Sequence, residues 1–256
     1  MQYPQVPLSK SILSKSVLMT GGVIAAGIYI GLLLAGSVPG MKTRVAALRA
    51  PGIAREYLRT HSVRKLQIGA GDIDYAGWLN SDIDPRPGQV YLDLTKRFPL
   101  PDGSFQYIFG EHVIEHLNYD DGLDMLRECY RVLAPGGKIR LATPNLLKYV
   151  QLFRDPKTAE IDSYLEGKLG WFAWPRTASR ETMILNLEMR SFGHKFVYDP
   201  QTLSERLSQA GFRTIAEFPP GESDDSQLRG VEARHYNVPI RPMNDYETMI
   251  LQAVRP

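Results

Sequence analysis

Two glycines, three acids closing apolar runs and one His-x-x-Glu-His segment are the residues here whose types and spacing suit chemistry. Gly69-Ala70-Gly71 directly follows the short apolar run Lys65-Leu66-Gln67-Ile68. A glycine turn after a first strand lets backbone N–H groups approach a ligand that any Cβ would hold away. It is not the dinucleotide fingerprint, whose third glycine would fall at Asp74. By itself the turn reads equally as an ordinary loop. Asp82 ends a second strand candidate, Trp78 to Ile83, and Asp93 ends a third, Gln89 to Leu94. In open sheets a ligand lies across the carboxyl ends of the strands, where one acid can accept from ribose hydroxyls and another from an adenine amino group. Asp84 is a second candidate, with capping the turn at Pro85 as its plain role.

His112-Val113-Ile114-Glu115-His116 has the H-x-x-E-H spacing of an inverted zinc-protease helix, which would put both histidines on one helical face. A peptidase needs a third ligand on a later helix, and no glutamate is obvious there, so the expectation is no metal and a packing role for His116. Glu111 and His112, just beyond a fourth strand at Phe105 to Phe109, are the candidate general bases, joined by His194 from Gly193-His194-Lys195-Phe196. Structural or positioning roles are the plain alternative for all three.

The elements that must position these groups alternate between strand and helix, which predicts a mostly parallel sheet covered by helices on both faces. After the fourth strand, a helical run through Glu128-Cys129-Tyr130-Arg131-Val132-Leu133 should stop at Ala134-Pro135-Gly136-Gly137, and Lys138 to Thr143 makes a fifth strand. Asp199 should cap a helix that has Pro200 in its first turn and stops at Gly211. Arg213 to Phe218 and Glu247 to Val254 close the sheet. Between the fifth strand and Asp199, residues 151–193 lose the pattern and read as an insertion, with Trp171 and Trp174 beside Arg176 and Arg180 as a cover for an acceptor or as its own small core.

Composition narrows the class. The 256 residues carry 30 Lys and Arg against 28 Asp and Glu, a net charge of +2. No basic run is interleaved with aromatics, so nucleic acid is not an expected partner. The single cysteine, Cys129, cannot form an intramolecular disulfide and reads as a buried filler.

The N-terminal part is different. No charged residue occurs from Ser16 to Met41, and the centre runs Val23-Ile24-Ala25-Ala26-Gly27-Ile28-Tyr29-Ile30-Gly31-Leu32-Leu33-Leu34. About 20 such residues span a bilayer, so residues 17–38 read as a transmembrane helix after a tail at 1–16. A cleaved signal peptide is the rival, with Lys10 and Lys15 as its basic region and Ala35-Gly36-Ser37 as its small residues. Lys42, Arg44, Arg49, Arg55 and Arg59 follow the span, placing the C-terminal bulk in the cytoplasm by the positive-inside tendency. Residues 39–62 are then a basic connector helix, resting on anionic headgroups or solvated and broken at Pro51-Gly52, and 63–256 are the catalytic domain. Gly27 and Gly31 fit a small-xxx-small contact and a homodimer through it.

Five segments occur together in one order: Leu66-Gln67-Ile68-Gly69-Ala70-Gly71, Asp82-Ile83-Asp84-Pro85, Phe98-Pro99-Leu100-Pro101-Asp102-Gly103-Ser104-Phe105, Val113-Ile114-Glu115-His116-Leu117 and Arg131-Val132-Leu133-Ala134-Pro135-Gly136-Gly137. From Lys65 to Asn145 the chain thereby resembles class I S-adenosylmethionine-dependent methyltransferases, particularly the type 11 group. That resemblance implies an α/β, Rossmann-like methyltransferase fold with a seven-stranded sheet. It implies S-adenosylmethionine as cofactor, held at Gln67, Gly69, Ala70 and Gly71 on the methionine side. Asp82 and Ile83 would serve the ribose, Asp93 and Leu94 the adenine, and Glu111 would border the site. Gln67 stands where many members carry an acid, and Ile73 where a third glycine is common. These departures motivate a rival reading, a non-catalytic membrane adaptor that keeps the fold. A zinc hydrolase using His112, Glu115 and His116 is a further alternative. The expected activity is methyl transfer to a small-molecule, lipid or glycan acceptor.

Overall fold

The computed structural model describes residues 41–171, 179–232 and 241–256. The segment 17–38, with Gly27 and Gly31, and most of the aromatic stretch after Trp171 lie outside the described residues. Among the described residues no helix is long and apolar enough to cross a membrane. The chain divides between Lys42 and Thr43, and the second unit runs to Pro256.

Seven strands form one mixed sheet: β1 (Lys65–Ile68), β2 (Leu79–Asp82), β3 (Val90–Tyr91), β4 (Phe105–Glu111), β5 (Leu133–Pro144), β6 (Arg213–Glu217) and β7 (Thr248–Val254). Their order is β3-β2-β1-β4-β5-β7-β6, parallel from β3 through β5, with β7 antiparallel to both β5 and β6. The chain lays β2 and β3 on one side of β1, then returns to place β4 and β5 on the other. The carboxyl ends of β1 and β4 therefore flank the crevice where open α/β sheets bind ligands.

The central strands are buried on both sides, as parallel strands must be when helices cover them: Leu66, Ile68, Phe105, Ile108, Ile139 and Leu141 are all closed to solvent. Seven α-helices are described: α1 (Met41–Thr60), α2 (Tyr119–Val132), α3 (Leu146–Arg154), α4 (Ala159–Trp171), α5 (Arg180–Arg190), α6 (Pro200–Ala210) and α7 (Arg241–Glu247). Local chemistry sets several ends. The Asn118 side chain accepts from the Asp120 and Asp121 N–H groups to start α2. Asp199 caps α6 through the Thr202 N–H at 3.0 Å, and Gly211, at φ +109°, ends it. Cys129 is buried on α2, where burial pushes its thiol pKa well up, so it is an unreactive filler.

α1 is not broken at Pro51-Gly52. Proline forfeits one helical hydrogen bond and crowds the preceding turn, but Ala50, Ala54 and Tyr57 join the main core and hold both halves in line. The Tyr57 hydroxyl accepts from the Lys65 N–H (2.8 Å) and donates to the Gly77 carbonyl (2.9 Å), tying α1 to the first residue of β1. Tyr57→Phe strands the Lys65 donor and should cost about 1–2 kcal/mol in urea unfolding, with little change in folded-state spectra.

The third strand is shorter than expected, two residues instead of six, because β2 and β3 pair only at Ser81 with Val90 and Asp82 with Tyr91. The stretch read as irregular holds the end of α3 and all of α4 and α5; these three helices with α7 enclose a second core of Tyr149, Leu152, Tyr164, Leu165, Ile184 and Leu187. Lys157 pairs with Glu181 in the first turn of α5, and Ser179 donates to the same carboxylate at 2.5 Å. Lys157 first, then Ser179, lowers the Glu181 pKa from 4.5 to about 2. A lowered carboxylate adds stability at neutral pH that is lost as pH falls through 4.5 toward about 2. The drop in melting temperature between pH 6 and pH 3 should therefore be smaller in Glu181→Gln than in the parent chain.

Candidate active site

The crevice is lined first by the turn after β1. Gly69 (φ +62°) and Gly71 (φ +55°) adopt left-handed backbone that L side chains resist. A Cβ on Gly69 would lie 2.3 Å from Val113 Cγ2, so the turn after β1 packs directly on the segment after β4. Asp82, at the end of β2, accepts from the Gly71 N–H (2.8 Å) through Oδ2 and from the Asp84 N–H (2.9 Å) through Oδ1. A carboxylate has about four acceptor positions, so both oxygens keep acceptor capacity. Gln89 braces the turn from outside, donating to the Gly71 carbonyl (3.0 Å) and Asp74 (2.8 Å). Nothing in the local sequence marked Gln89 for this.

The two departures from the family pattern meet. Gln67 Nε2 donates to the Ile73 carbonyl at 3.0 Å, closing the glycine turn with a bond no carboxylate could donate. Gln67 Oε1 is buried without a hydrogen-bond partner among the described residues. Ala70 is buried, and Ile83 is 58% exposed beside Asp82. Asp93 Oδ1 accepts from the Thr95 N–H (2.9 Å) and hydroxyl (2.7 Å), the turn role expected of a strand-end Asp, which leaves Oδ2 for a ligand; Leu94 packs partly against the main core.

Beyond β4 the H-x-x-E-H segment is not an α-helix. His112 stands at φ +53° and only Ile114–His116 form a short 3-10 turn, so the zinc-protease geometry is not made. The sequence spacing fits a helix, but the His112 backbone is reversed where its N–H donates to the Ala142 carbonyl at 2.9 Å. His112 Nδ1 then reaches Glu115 Oε1 at 3.1 Å, and Thr143 donates to Glu115 Oε2 at 3.0 Å. Burial opposes the charged form of His112, yet the Glu115 hydrogen bond and the charges of Glu115, Glu111 and Glu247 raise its pKa overall. For Glu115, burial works upward but His112 wins and holds the carboxyl below its ordinary range.

His194 arrives from after α5. Its Nδ1 lies 2.6 Å from the Glu188 carbonyl, and its ring meets His116 edge-on, centroids 5.0 Å apart. Burial lowers its pKa. The fold thus collects His112 and His194 around Glu115 and His116, while Glu111 is buried at the end of β4. Beneath lies a buried polar network that the sequence did not reveal: Lys168 pairs with Glu188 (2.9 Å) and with Glu247, and Tyr149 and Tyr164 donate to Glu247 (3.3 and 2.6 Å). Burial, and after it the Glu247 charge, raises Glu188 to about 7.

Part of the chain is similar to known methyltransferases. Residues 52–141 match the family model described as "Methyltransferase domain". A Mycolicibacterium smegmatis protein described as "Probable S-adenosylmethionine-dependent methyltransferase" is 43% identical over 51 residues, 20% of this chain and 19% of that one. The chain thus spans about a fifth of the length of that curated relative. Among solved structures, an S-adenosylmethionine-dependent methyltransferase from Archaeoglobus fulgidus is 19% identical, with TM-score 0.42 over 88% of this chain and 99% of that one. One from Thermotoga maritima is 15% identical, with TM-score 0.43 over 90% and 96%. The family match lies on a segment that spans the glycine turn and β1 to β4.

Proposed function

We propose that the chain is an S-adenosylmethionine-dependent methyltransferase whose cofactor lies across the carboxyl ends of β1, β2 and β3. The observation that carries this reading is the glycine turn locked to Asp82, set in the crevice where the strand order reverses. Gly69, Ala70 and Gly71 would face the methionine part through their backbone, and the unpartnered Gln67 Oε1 suits its ammonium group. Asp82 would take the ribose hydroxyls, Asp93 Oδ2 the adenine amino group, and Ile83 and Leu94 would pack beside them. When bound, S-adenosylmethionine supplies an electrophilic methyl on a sulfonium. The protein's part is to hold an acceptor in line with it. Glu111, His112 and His194 are the groups proposed to orient the acceptor or take its proton. Calorimetric titration of the purified chain with S-adenosylhomocysteine tests the reading; absence of binding heat would sink it in favour of the adaptor.

The anchor at residues 17–38, a cytoplasmic catalytic domain at 63–256, a homodimer through Gly27 and Gly31, and a lipid or glycan acceptor belong to the same proposal. They are supported by the uncharged run and the basic residues after it. Fractionation of cells expressing the full chain should place it in membranes, and deletion before Lys42 should release it; a soluble full-length chain would end the anchor.

A further inference from the structure

The geometry points to a divalent transition-metal site formed by Glu115, His116 and His194, a site deepening the methyltransferase reading by giving the acceptor's oxygen a place to bind. One donor atom from each of the three residues lies within 4.8 Å of the other two. A Zn²⁺-class ion sits about 2.0–2.2 Å from nitrogen and oxygen donors, which brings such donors to roughly 3.4 Å apart. Small side-chain rotations close that gap, since His116 and His194 are only partly buried.

The surroundings resemble those of a built metal site. A ligating histidine ordinarily donates its second ring N–H to a carbonyl or carboxylate, which fixes its tautomer and turns the other nitrogen toward the ion. His194 has that arrangement: Nδ1 is 2.6 Å from the Glu188 carbonyl, leaving Nε2 for a ligand. Glu115 is likewise oriented from behind by His112 (3.1 Å) and Thr143 (3.0 Å). Lys195 N–H also donates to the Glu115 carbonyl (2.7 Å), binding the segment that carries His194 to the segment that carries the other two ligands. The left-handed backbone at His112 is uncommon for a residue with a side chain, and strain of this kind gathers at functional sites.

Two histidines and one carboxylate fill three positions and leave others open, the pattern of catalytic rather than structural sites. Glu115 is fully buried while both histidines are partly exposed, so the open positions lie on the histidine side. Val113, two residues from Glu115, is the residue on which Gly69 packs, so the ion would stand beside the methionine end of the cofactor site. A hydroxyl bound there is acidified and positioned at once. It releases its proton to water, with His194 orienting the acceptor through the ion and not taking that proton; its oxygen forms the C–O bond as the C–S bond of the sulfonium breaks and that electron pair returns to sulfur.

The test is Co²⁺ titration of the chelator-treated full chain, read by visible absorption, with S-adenosylhomocysteine calorimetry on the same preparation. One equivalent of Co²⁺ should give ligand-field bands that Zn²⁺ abolishes. His116→Ala and His194→Ala should each weaken Co²⁺ binding by more than about tenfold, while His61→Ala, directly after α1, leaves it unchanged. Equal melting temperatures of metal-free parent and His194→Ala show that a lost band is not lost folding. No band at saturating Co²⁺, or unchanged affinity in both histidine variants, overturns the site. A chain that binds S-adenosylhomocysteine but not Co²⁺ refutes the metal alone; one that binds Co²⁺ but not S-adenosylhomocysteine refutes the methyltransferase reading and keeps the metal.

Discussion

Gly69→Ala should yield a folded protein whose affinity for S-adenosylhomocysteine is reduced at least about a hundredfold, the scale on which angstrom-sized misplacements act. Two separate costs combine. A side chain at φ +62° carries backbone strain of about 1–2 kcal/mol. The new methyl also lands 2.3 Å from Val113 Cγ2, and a β-branched neighbour has few rotamers with which to yield. Overpacking of this sort costs about 1–3 kcal/mol, and relief moves either the turn or the segment that carries His112 and Glu115. Gly77→Ala separates the two: φ there is +77°, with nothing within 4 Å of the added Cβ. It should show the strain in denaturant unfolding without the loss of affinity. If Gly69→Ala binds S-adenosylhomocysteine like the parent, the cofactor does not sit at this turn.

The largest expected effect on stability lies at Arg140 and Glu232. Arg140 occupies the middle of β5, paired across to Phe109 and Gln252, and both partners of the ion pair are entirely buried. Glu232 also accepts from the Gly221 N–H at 2.9 Å, and the guanidinium lies over the Phe218 ring at 5.7 Å. Removing one member of a buried pair leaves an uncompensated charge, at a cost of about 3–5 kcal/mol. Glu232→Ala should lose that much in urea unfolding, and Arg140→Met a similar amount. The double variant should lose much less than the sum, because apolar replacement of both partners removes the desolvation cost as well. Simple additivity would show that the pair does not act as a unit.

What could be read in advance was what depends on neighbours in sequence. Asp199, Pro200 and Gly211 marked both ends of α6 because capping is decided within one turn of chain. That the glycine turn follows β1 and that Asp82 ends β2 was legible because apolar runs stopped by Gly or Asp mark strand ends. The H-x-x-E-H run shows the limit of such local reading: its spacing fits a helical period, and nothing local shows that the backbone reverses at His112. Partnerships between distant residues were out of reach. His116 and His194 meet because residues following α5 are bound to the Glu115 carbonyl, and Arg140 finds Glu232 only through the folded sheet. The helices of the insertion were hidden because their apolar residues serve a small separate core, shared with α7 far along the chain.

The position of β7 bears on how the molecule comes to be made. It follows every other strand in chain order, yet it lies inside the sheet, matched with β5 at seven positions from Lys138–Val254 to Pro144–Thr248 and flanked on its other side by β6. During synthesis β1 to β5 can assemble while the twelve-residue β5 still presents an open hydrogen-bonding edge. β6 emerges next but has no place until its inner neighbour arrives, so the sheet closes in reverse of chain order. For that interval the nascent chain offers a long row of unpaired backbone groups to any strand that drifts past, and its own safeguard is the speed with which the remaining residues follow.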